Sequence, residues 1–284
     1  MPTIDEKRVY TDNSGVERVF LAAELGVVAV SVSDDLIGEF GVAHRCRARD
    51  IATAGPLVAV ATDEDVLLAN RTDADSADGA TDGNRGLDVA ETGFGPATAV
   101  GFDGETLLAG DAGGRVGRVD VADATGSEPQ WTDAGSTAGA VRAIDGPLVA
   151  AGDGVYRLGA AGLAHAGLDD ARDVDAEPLV ATGTGLYKLG NGWMDVIDGP
   201  VDAVDAAGGR GLAVSDGVLY ERTGDDGDTW DEASLPVDGD VVAVTHGTDA
   251  AYAVTAGGTL AVRLPGEEWR HRELGVRDVA AAAV

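Results

Sequence analysis

Four arginines recur at one position of a repeated pattern, and their chemistry suits the binding of an anion. Arg49, Arg142, Arg172 and Arg277 each stand two residues before an aliphatic residue of a short apolar segment. A guanidinium group presents a planar fork of donors that matches carboxylate and phosphate groups. The four arginines are therefore a predicted ligand site, either for a small phosphate-bearing molecule or for an acidic segment of a protein partner.

The same arginines have a structural interpretation, which the sequence favours. Asp50, Asp173 and Asp278 directly follow three of them. Because successive side chains of a strand point to opposite faces, each aspartate would face the arginine of an adjacent repeat. A ring of ion pairs is the resulting alternative to an anion site, and ion-pair networks of this kind are common in proteins.

Catalytic and metal-binding patterns are missing from the sequence. Cys46 is the single cysteine, which excludes an internal disulfide and a cysteine-cluster zinc site. The histidines are scattered, at His44, His165, His246 and His271. We therefore predict structural roles for all five residues, no catalytic residues, no metal and no cofactor.

One polar segment departs from the repeats. Residues 71–86 read RTDADSADGATDGNRG and carry no aliphatic residues beyond alanine, which predicts a flexible acidic loop. Its DADSADG run resembles part of a calcium loop. No glutamate closes the twelve-residue spacing of an EF-hand, so we do not expect calcium binding.

The charge composition indicates adaptation to high salt. The chain has 284 residues with Lys+Arg 20 against Asp+Glu 50 and a net charge of -30. At about 1 M ionic strength the Debye length is about 3 Å, so repulsion within such a surface is screened. The acidic residues are spread evenly along the chain, which argues against nucleic-acid binding, because every phosphate would meet a negative field.

No apolar run is long enough to span a membrane. We expect a cytoplasmic monomer that contacts no membrane.

Internal repetition carries the fold prediction. The segment PLVAAGDGVYRL begins at Pro147 and the nearly identical PLVATGTGLYKL begins at Pro178. An alanine recurs in the same frame at Ala22, Ala59, Ala109, Ala150, Ala181, Ala213 and Ala253. Four residues later stands a glycine in six of the seven repeats, at Gly26, Gly113, Gly154, Gly185, Gly217 and Gly257, and Asp63 in the other. We expect the alanines to pack near a crowded axis and the glycines to supply positive φ in hairpin turns.

Alternating aliphatic and small residues predict strands rather than helices. Anchor residues of the inner strands are Ile51, Val100, Ile144, Val174, Val204, Val244 and, in the last segment, Val279. We predict an all-β single domain over residues 1–284, a β-propeller of seven four-stranded blades closed by pairing of the N- and C-terminal segments. Two alternatives remain possible from the sequence. The ring could have six blades, or KRVYT, residues 7–11, could form the inner strand of the first blade, so that the C-terminal segment is an additional strand or a tail.

Tryptophans mark the predicted outer strands. All four stand where a fourth strand should begin, at Trp131, Trp193, Trp230 and Trp269. One large aromatic per repeat at a fixed position is what core packing at the wide rim requires, so we favour packing over a stacking platform for bases or sugars.

A local motif carries a family resemblance. The run TGDDGDTW contains Thr223, Asp225, Gly227, Thr229 and Trp230, and it resembles the Asp-box repeat. The resemblance implies a structural turn between the third and fourth strands of a propeller blade. The arginine, tyrosine and glutamate constellation of sialidases is not found. The whole chain is similar to haloarchaeal β-propeller proteins, a resemblance that implies fold and no activity.

The functional expectation is a non-enzymatic interaction or assembly platform, because packing residues outnumber any catalytic signature. An enzyme of hydrolase or lyase type, with its active site at the mouth of the central channel, is the alternative. A structural subunit of a larger complex is a third possibility.

Overall fold

A computed structural model describes residues 16–71, 86–124, 129–223 and 229–284. Within these ranges the chain forms seven antiparallel sheets of four strands each. KRVYT and nearly all of the predicted acidic loop lie outside the described residues. Among the described elements is one helix, α1 (Val121–Ala124), and no described helix is long and apolar enough to cross a membrane.

The sheets are the blades of a propeller, and the strands of each blade follow one another from the axis outwards. The first blade contains β28 (Val279–Ala283), β1 (Val16–Ala23), β2 (Gly26–Ser33) and β3 (Leu36–His44). The second contains β4 (Ala48–Ala54), β5 (Leu57–Thr62), β6 (Val66–Asn70) and β7 (Val89–Glu91). The third contains β8 (Ala99–Asp103), β9 (Thr106–Gly110), β10 (Arg115–Asp120) and β11 (Thr132–Ser136). The fourth contains β12 (Val141–Asp145), β13 (Leu148–Ala151), β14 (Gly154–Gly159) and β15 (Gly162–Gly167).

Three further blades complete the ring. The fifth contains β16 (Ala171–Asp175), β17 (Leu179–Thr182), β18 (Gly185–Leu189) and β19 (Trp193–Asp198). The sixth contains β20 (Ala203–Ala207), β21 (Arg210–Ser215), β22 (Val218–Arg222) and β23 (Trp230–Glu232). The seventh contains β24 (Val241–His246), β25 (Ala251–Thr255), β26 (Thr259–Arg263) and β27 (Arg270–Glu273).

The two ends of the chain share the first blade. Strand β28 pairs with β1 in antiparallel register, with Phe20 opposite Ala283 and Leu21 opposite Ala282. Strand β28 also lies between the inner strands β24 and β4 of the neighbouring blades. The predicted seven-blade closure is therefore confirmed, and the pairing covers edges that would otherwise be exposed.

The core lies between blades. The seven recurring alanines are fully buried, and every anchor residue of the inner strands is also buried. Each hydrophobic cluster takes its side chains from consecutive blades; for example, Val204 and Ala213 of the sixth blade pack with Ala181 and Leu186 of the fifth. Small residues are needed there because the second strands of converging sheets lie close together.

The prediction that the recurring glycines supply positive φ in the hairpin turns is confirmed only in part. Gly26, Gly154 and Gly217 have positive φ values of 130°, 135° and 76°. Gly113, Gly185 and Gly257 do not, and that part of the prediction is wrong. At Gly185 the physical reason for glycine is space, because a Cβ atom would lie 2.7 Å from the main-chain oxygen of Ile197.

The tryptophans take their predicted positions. Trp193 and Trp230 begin β19 and β23, and Trp131 and Trp269 immediately precede β11 and β27. Each packs against the cluster shared with the preceding blade. Trp131 Nε1 also donates to the main-chain oxygen of Thr92 at 2.9 Å, which fixes the ring orientation.

Only the flanks of the Asp-box-like motif are described. Thr223 Oγ1 donates a hydrogen bond of 2.7 Å to Asp231, and Trp230 starts the fourth strand of its blade. Asp225 and Gly227 lie outside the described residues, so the resemblance stays a prediction.

Candidate functional site at the axial channel

The seven inner strands enclose a channel along the propeller axis. Its cavity has a volume of about 360 Å³ and is lined mainly by inner-strand residues from all seven blades. Small side chains such as Ala52, Ala143, Ala203 and Ala243 line its wall together with aspartates and arginines. The channel is therefore narrow and polar.

The arginines occupy irregular positions in their strands. Arg49, Arg142 and Arg172 each stand where the inner strand has one more residue than its partner strand, as at Ala48 and Asp50, which pair with consecutive residues of β5. Such a β-bulge redirects the side chain of the extra residue away from the regular alternation. The three arginines line the channel cavity at the end where the inner strands begin, and we call this end of the ring the mouth face.

Two of the arginines belong to a ladder of ion pairs across three blades. Arg142 Nη1 lies 2.7 Å from Asp170 Oδ1, and Arg172 Nη2 lies 3.5 Å from Asp170 Oδ2. Arg172 Nη1 then reaches Asp202 Oδ1 at 2.5 Å. The hydrogen bond from Arg142 and the charges of both arginines hold the pKa of Asp170 below its usual value, against the raising effect of desolvation. Because these side chains are 31% to 50% exposed, each pair adds little stability by itself.

The partners predicted for the arginines are wrong. Within the described part of the chain, Asp50 and Asp173 do not pair with arginines; each carboxylate binds main-chain N–H groups of its own and the next inner strand. Asp173 Oδ1 accepts from Val174 N at 2.9 Å and Oδ2 from Val204 N at 2.8 Å. Asp50 does the same with Ile51 and, at 2.8 Å, with Val100. The inward edge of an inner strand has no neighbouring strand, so its N–H groups need such acceptors.

Asp50 and Asp173, which directly precede anchor residues of the inner strands, form a first tier of carboxylates. A second tier consists of aspartates that directly follow the anchors. Asp145 Oδ2 accepts from Ala176 N at 2.7 Å, and Asp175 Oδ2 accepts from Ala206 N at 2.8 Å. Their recurrence directly after Ile144 and Val174 is visible in the sequence, but the sequence prediction missed it. The carboxylates of both tiers thus connect consecutive blades through the backbone.

The last member of this tier has a different partner. Asp205 Oδ2 lies 2.5 Å from Nδ1 of His246, which occupies the position of Ala176 and Ala206 in the next blade. The His246 side chain is only 2% exposed, and it borders both the channel and a second cavity lined by Glu17, Arg71 and Thr248. In the sequence His246 is an isolated histidine with a predicted structural role, and its pairing with Asp205 was not predicted.

Burial changes the acidity of the channel aspartates. Desolvation raises the pKa of Asp50 to about 8, in spite of the hydrogen bonds from Val100 and Ile51 that lower it. The pKa values of Asp173 and Asp175 rise to about 7, first through desolvation and then, in both, through repulsion from Asp205. Desolvation raises the pKa of Asp145 as well. A proton is therefore bound to part of this group near neutral pH.

The two remaining arginines differ from the ladder. Arg49 Nη1 donates to the main-chain oxygen of Ala97 at 3.3 Å. Arg277 is exposed, precedes β28 and does not line the channel cavity. Among residues 16–71, 86–124, 129–223 and 229–284, neither forms an ion pair. The structure thus brings Arg49, Arg142 and Arg172 to the channel and leaves Arg277 at its rim.

Within residues 16–71, 86–124, 129–223 and 229–284, no group of three or more histidine, cysteine, aspartate or glutamate residues is arranged to hold a metal ion.

Comparisons with known proteins agree on the fold. The family model described as "Beta-prop_HVO_0234:-like, beta propeller" matches residues 3–284. No match was found among curated proteins. The WD40 β-propeller domain of Doa1 is similar with a TM-score of 0.61 and 16% identity, covering 93% of this chain and 89% of that chain.

Two other solved structures are similar at comparable levels. The computationally designed Ika8 protein has a TM-score of 0.59 and 15% identity, over 93% of this chain and 86% of that chain. A chain in the nidogen/laminin complex has a TM-score of 0.58 and 9% identity, over 94% of this chain and 97% of that chain. At these identities the similarity shows the propeller fold alone.

Proposed function

The chain belongs to the HVO_0234-like β-propeller family, and we propose that it acts there as a non-enzymatic interaction scaffold. The observation that carries the proposal is the use of the channel carboxylates. Asp50, Asp145, Asp173 and Asp175 each bind a main-chain N–H group of the next blade. Groups engaged in this way hold a ring together and are poorly placed to transfer protons to a substrate.

We place the partner on the mouth face. The turns between second and third strands lie there beside the segments that lead into the inner strands, as in the hydrogen bonds from Gly183 N to Asp170 O and from Gly152 N to Ala140 O, both 3.1 Å. A partner on this face would contact several blades at once. We expect one copy of the chain to bind one partner. Because the net charge is -30, the complex should form in a salt-rich cytoplasm, where repulsion between acidic groups is screened.

Site-specific photo-crosslinking tests the proposal. A photo-reactive amino acid replaces Leu25, an exposed residue of a mouth-face turn, or Glu105, an exposed residue of a turn on the opposite face. Both proteins are irradiated in extracts of the native host at about 2 M KCl. We expect a discrete product from position 25 only, and the captured protein, once purified, should bind the wild-type chain with fixed stoichiometry.

The protein with the photo-reactive residue at position 105 is the control for the protein with it at position 25, because the two differ only in which face carries the crosslinker. Products of equal intensity from both positions, or a captured protein that fails to bind the wild-type chain, would overturn the proposal.

One observation favours an enzyme as the second candidate. Asp205 and the buried His246 side chain have the arrangement in which a carboxylate orients a catalytic imidazole. Under this alternative the chain would cleave a member of a panel of chromogenic esters, glycosides and lyase substrates, and His246→Gln would abolish the activity while leaving the far-ultraviolet circular dichroism spectrum unchanged.

A further inference from the structure

Uncompensated arginines gather on one side of the mouth face. Within the described ranges, Arg45, Arg49 and Arg277 form no ion pair, and Arg47 lies 3.4 Å from Glu24 in an exposed pair. On the opposite side of the ring, Arg142 and Arg172 are neutralised by Asp170 and Asp202. On the mouth face, the arginines that lack a carboxylate partner within the described ranges therefore lie beside the first and second blades.

The fold places Arg49 and Arg277 at the same level. The inner strands β4 and β28 are neighbours around the axis. Arg49 stands two residues before the buried anchor Ile51, and Arg277 stands two residues before the buried anchor Val279. Because neighbouring inner strands run in the same direction along the channel, these two arginines stand at the mouth ends of adjacent strands, Arg49 in the channel wall and Arg277 outside it.

Asp50, the acidic residue adjacent to Arg49, is engaged by main-chain donors. The carboxylate oxygens of Asp50 accept from Ile51 N at 2.9 Å and from Val100 N at 2.8 Å. Arg49 is half-buried, and the only hydrogen bond that its guanidinium makes within the described ranges is the contact of 3.3 Å with Ala97 O. Most of its donors remain available to a ligand in the channel mouth.

We propose that Arg49 and Arg277 form a binding site for one oxyanionic group, a carboxylate or a phosphate, of a small molecule. Arg49 binds it from the channel wall and Arg277 from the rim. Guanidinium forks bind planar carboxylate and phosphate edges through two parallel hydrogen bonds, a geometry that chloride does not match. At molar salt the repulsion from the acidic surface is screened within about 3 Å, so these short-range contacts decide binding.

Titration calorimetry tests the site on the full chain at about 2 M KCl, where chloride is in large excess. Inorganic phosphate and citrate are the two probes, and they separate a phosphate ligand from a carboxylate ligand. We expect saturable binding of at least one probe by the wild type. Arg49→Gln and Arg277→Gln should each weaken that binding about tenfold or more, since each removes a charge-assisted hydrogen bond.

Arg157→Gln is the matched control, because Arg157 is an exposed arginine of β14 that also forms no ion pair within the described ranges. Its binding curve should coincide with that of the wild type. Arg49→Lys keeps the charge without the fork and should show an intermediate loss, while an unchanged melting temperature confirms that the variants are folded. The proposal is overturned if neither probe binds, or if all three glutamine variants bind equally well.

Discussion

Asp173 Oδ2 accepts a hydrogen bond of 2.8 Å from the main-chain N–H of Val204, one blade further around the ring. The same carboxylate binds Val174 N through Oδ1. One side chain therefore satisfies two inward-facing N–H groups and joins two sheets that share no strand pairing. This relationship, repeated between Asp50 and Val100, makes ring stability depend on aspartates in the channel wall.

Removing one carboxylate oxygen at this position should destabilise the ring. In Asp173→Asn the amide NH₂ group would oppose one of the main-chain N–H groups, so one hydrogen bond is lost and a donor is left without an acceptor. We expect a loss of about 1–3 kcal/mol in the free energy of unfolding at high salt. Chemical denaturation measures it. Asp103→Asn, at an exposed strand end, should change stability by less than about 0.5 kcal/mol.

The raised pKa values of the channel aspartates predict an unusual pH dependence. In the folded state the pKa of Asp50 is about 8 and that of Asp173 about 7, against an ordinary value of 3.8. The folded protein thus binds these protons more tightly than the unfolded chain. Their contribution to stability is present in acid and is lost as pH rises through 7 to 8. We expect the melting temperature to rise as pH is lowered from about 9 to about 6 at constant salt.

Asp50→Asn removes one of the titrating groups and should reduce the slope of melting temperature against pH. The exposed carboxyl of Asp103 provides the control, because Asp103→Asn should leave the slope unchanged. A melting temperature that falls steadily between pH 9 and pH 6 would contradict the assignment of protons to the channel.

Deleting residues 276–284 should prevent stable folding. The deletion removes β28, which leaves the inner edge of β1 unpaired and opens the ring between β24 and β4. We expect no cooperative unfolding transition by circular dichroism at high salt. Arg277→Gln, which keeps the strand, should melt cooperatively. A truncated chain that melts within a few degrees of the full-length chain would show that closure is dispensable.

Salt should control stability because the net charge is -30. Lowering KCl from about 2 M to about 0.1 M lengthens the Debye length from a few ångströms to about 10 Å, so carboxylates repel one another across the surface. We expect a lower melting temperature and loss of near-ultraviolet circular dichroism at low salt, reversed by adding salt back. Identical melting curves at the two concentrations would contradict this expectation.

The buried alanines should not accept larger residues. Ala181 is fully buried between the fifth and sixth blades. Ala181→Leu should overpack this junction and cost about 1–3 kcal/mol, measured by chemical denaturation. Ala164→Leu, at an exposed position of β15, supplies the comparison and should be close to neutral. Equal stability of the two variants would argue against a close-packed junction.

The sequence alone determined the repeat and the strand order within a blade, and it predicted the closure of the ring, which the pairing of β28 with β1 confirmed. These follow from internal repetition: residues equivalent to Ala181 and Val174 recur in every blade, and tryptophans equivalent to Trp193 recur in four, because equivalent positions of each blade have similar packing surroundings. The sequence also predicted that Arg49, Arg142 and Arg172 lie at one mouth of the channel, since equivalent positions of inner strands meet at the axis. All three line the channel cavity.

Only the tertiary structure decided which groups these arginines and aspartates contact. Strand alternation suggested that Asp173 faces an arginine, but a β-bulge at Arg172 shifts the register and the carboxylate instead meets the N–H of Val204. The Asp205–His246 contact joins residues of different blades that are 41 positions apart in the sequence. Sequence periodicity fixes positions along each strand, whereas side-chain pairing across blades depends on distances of a few ångströms that packing alone sets.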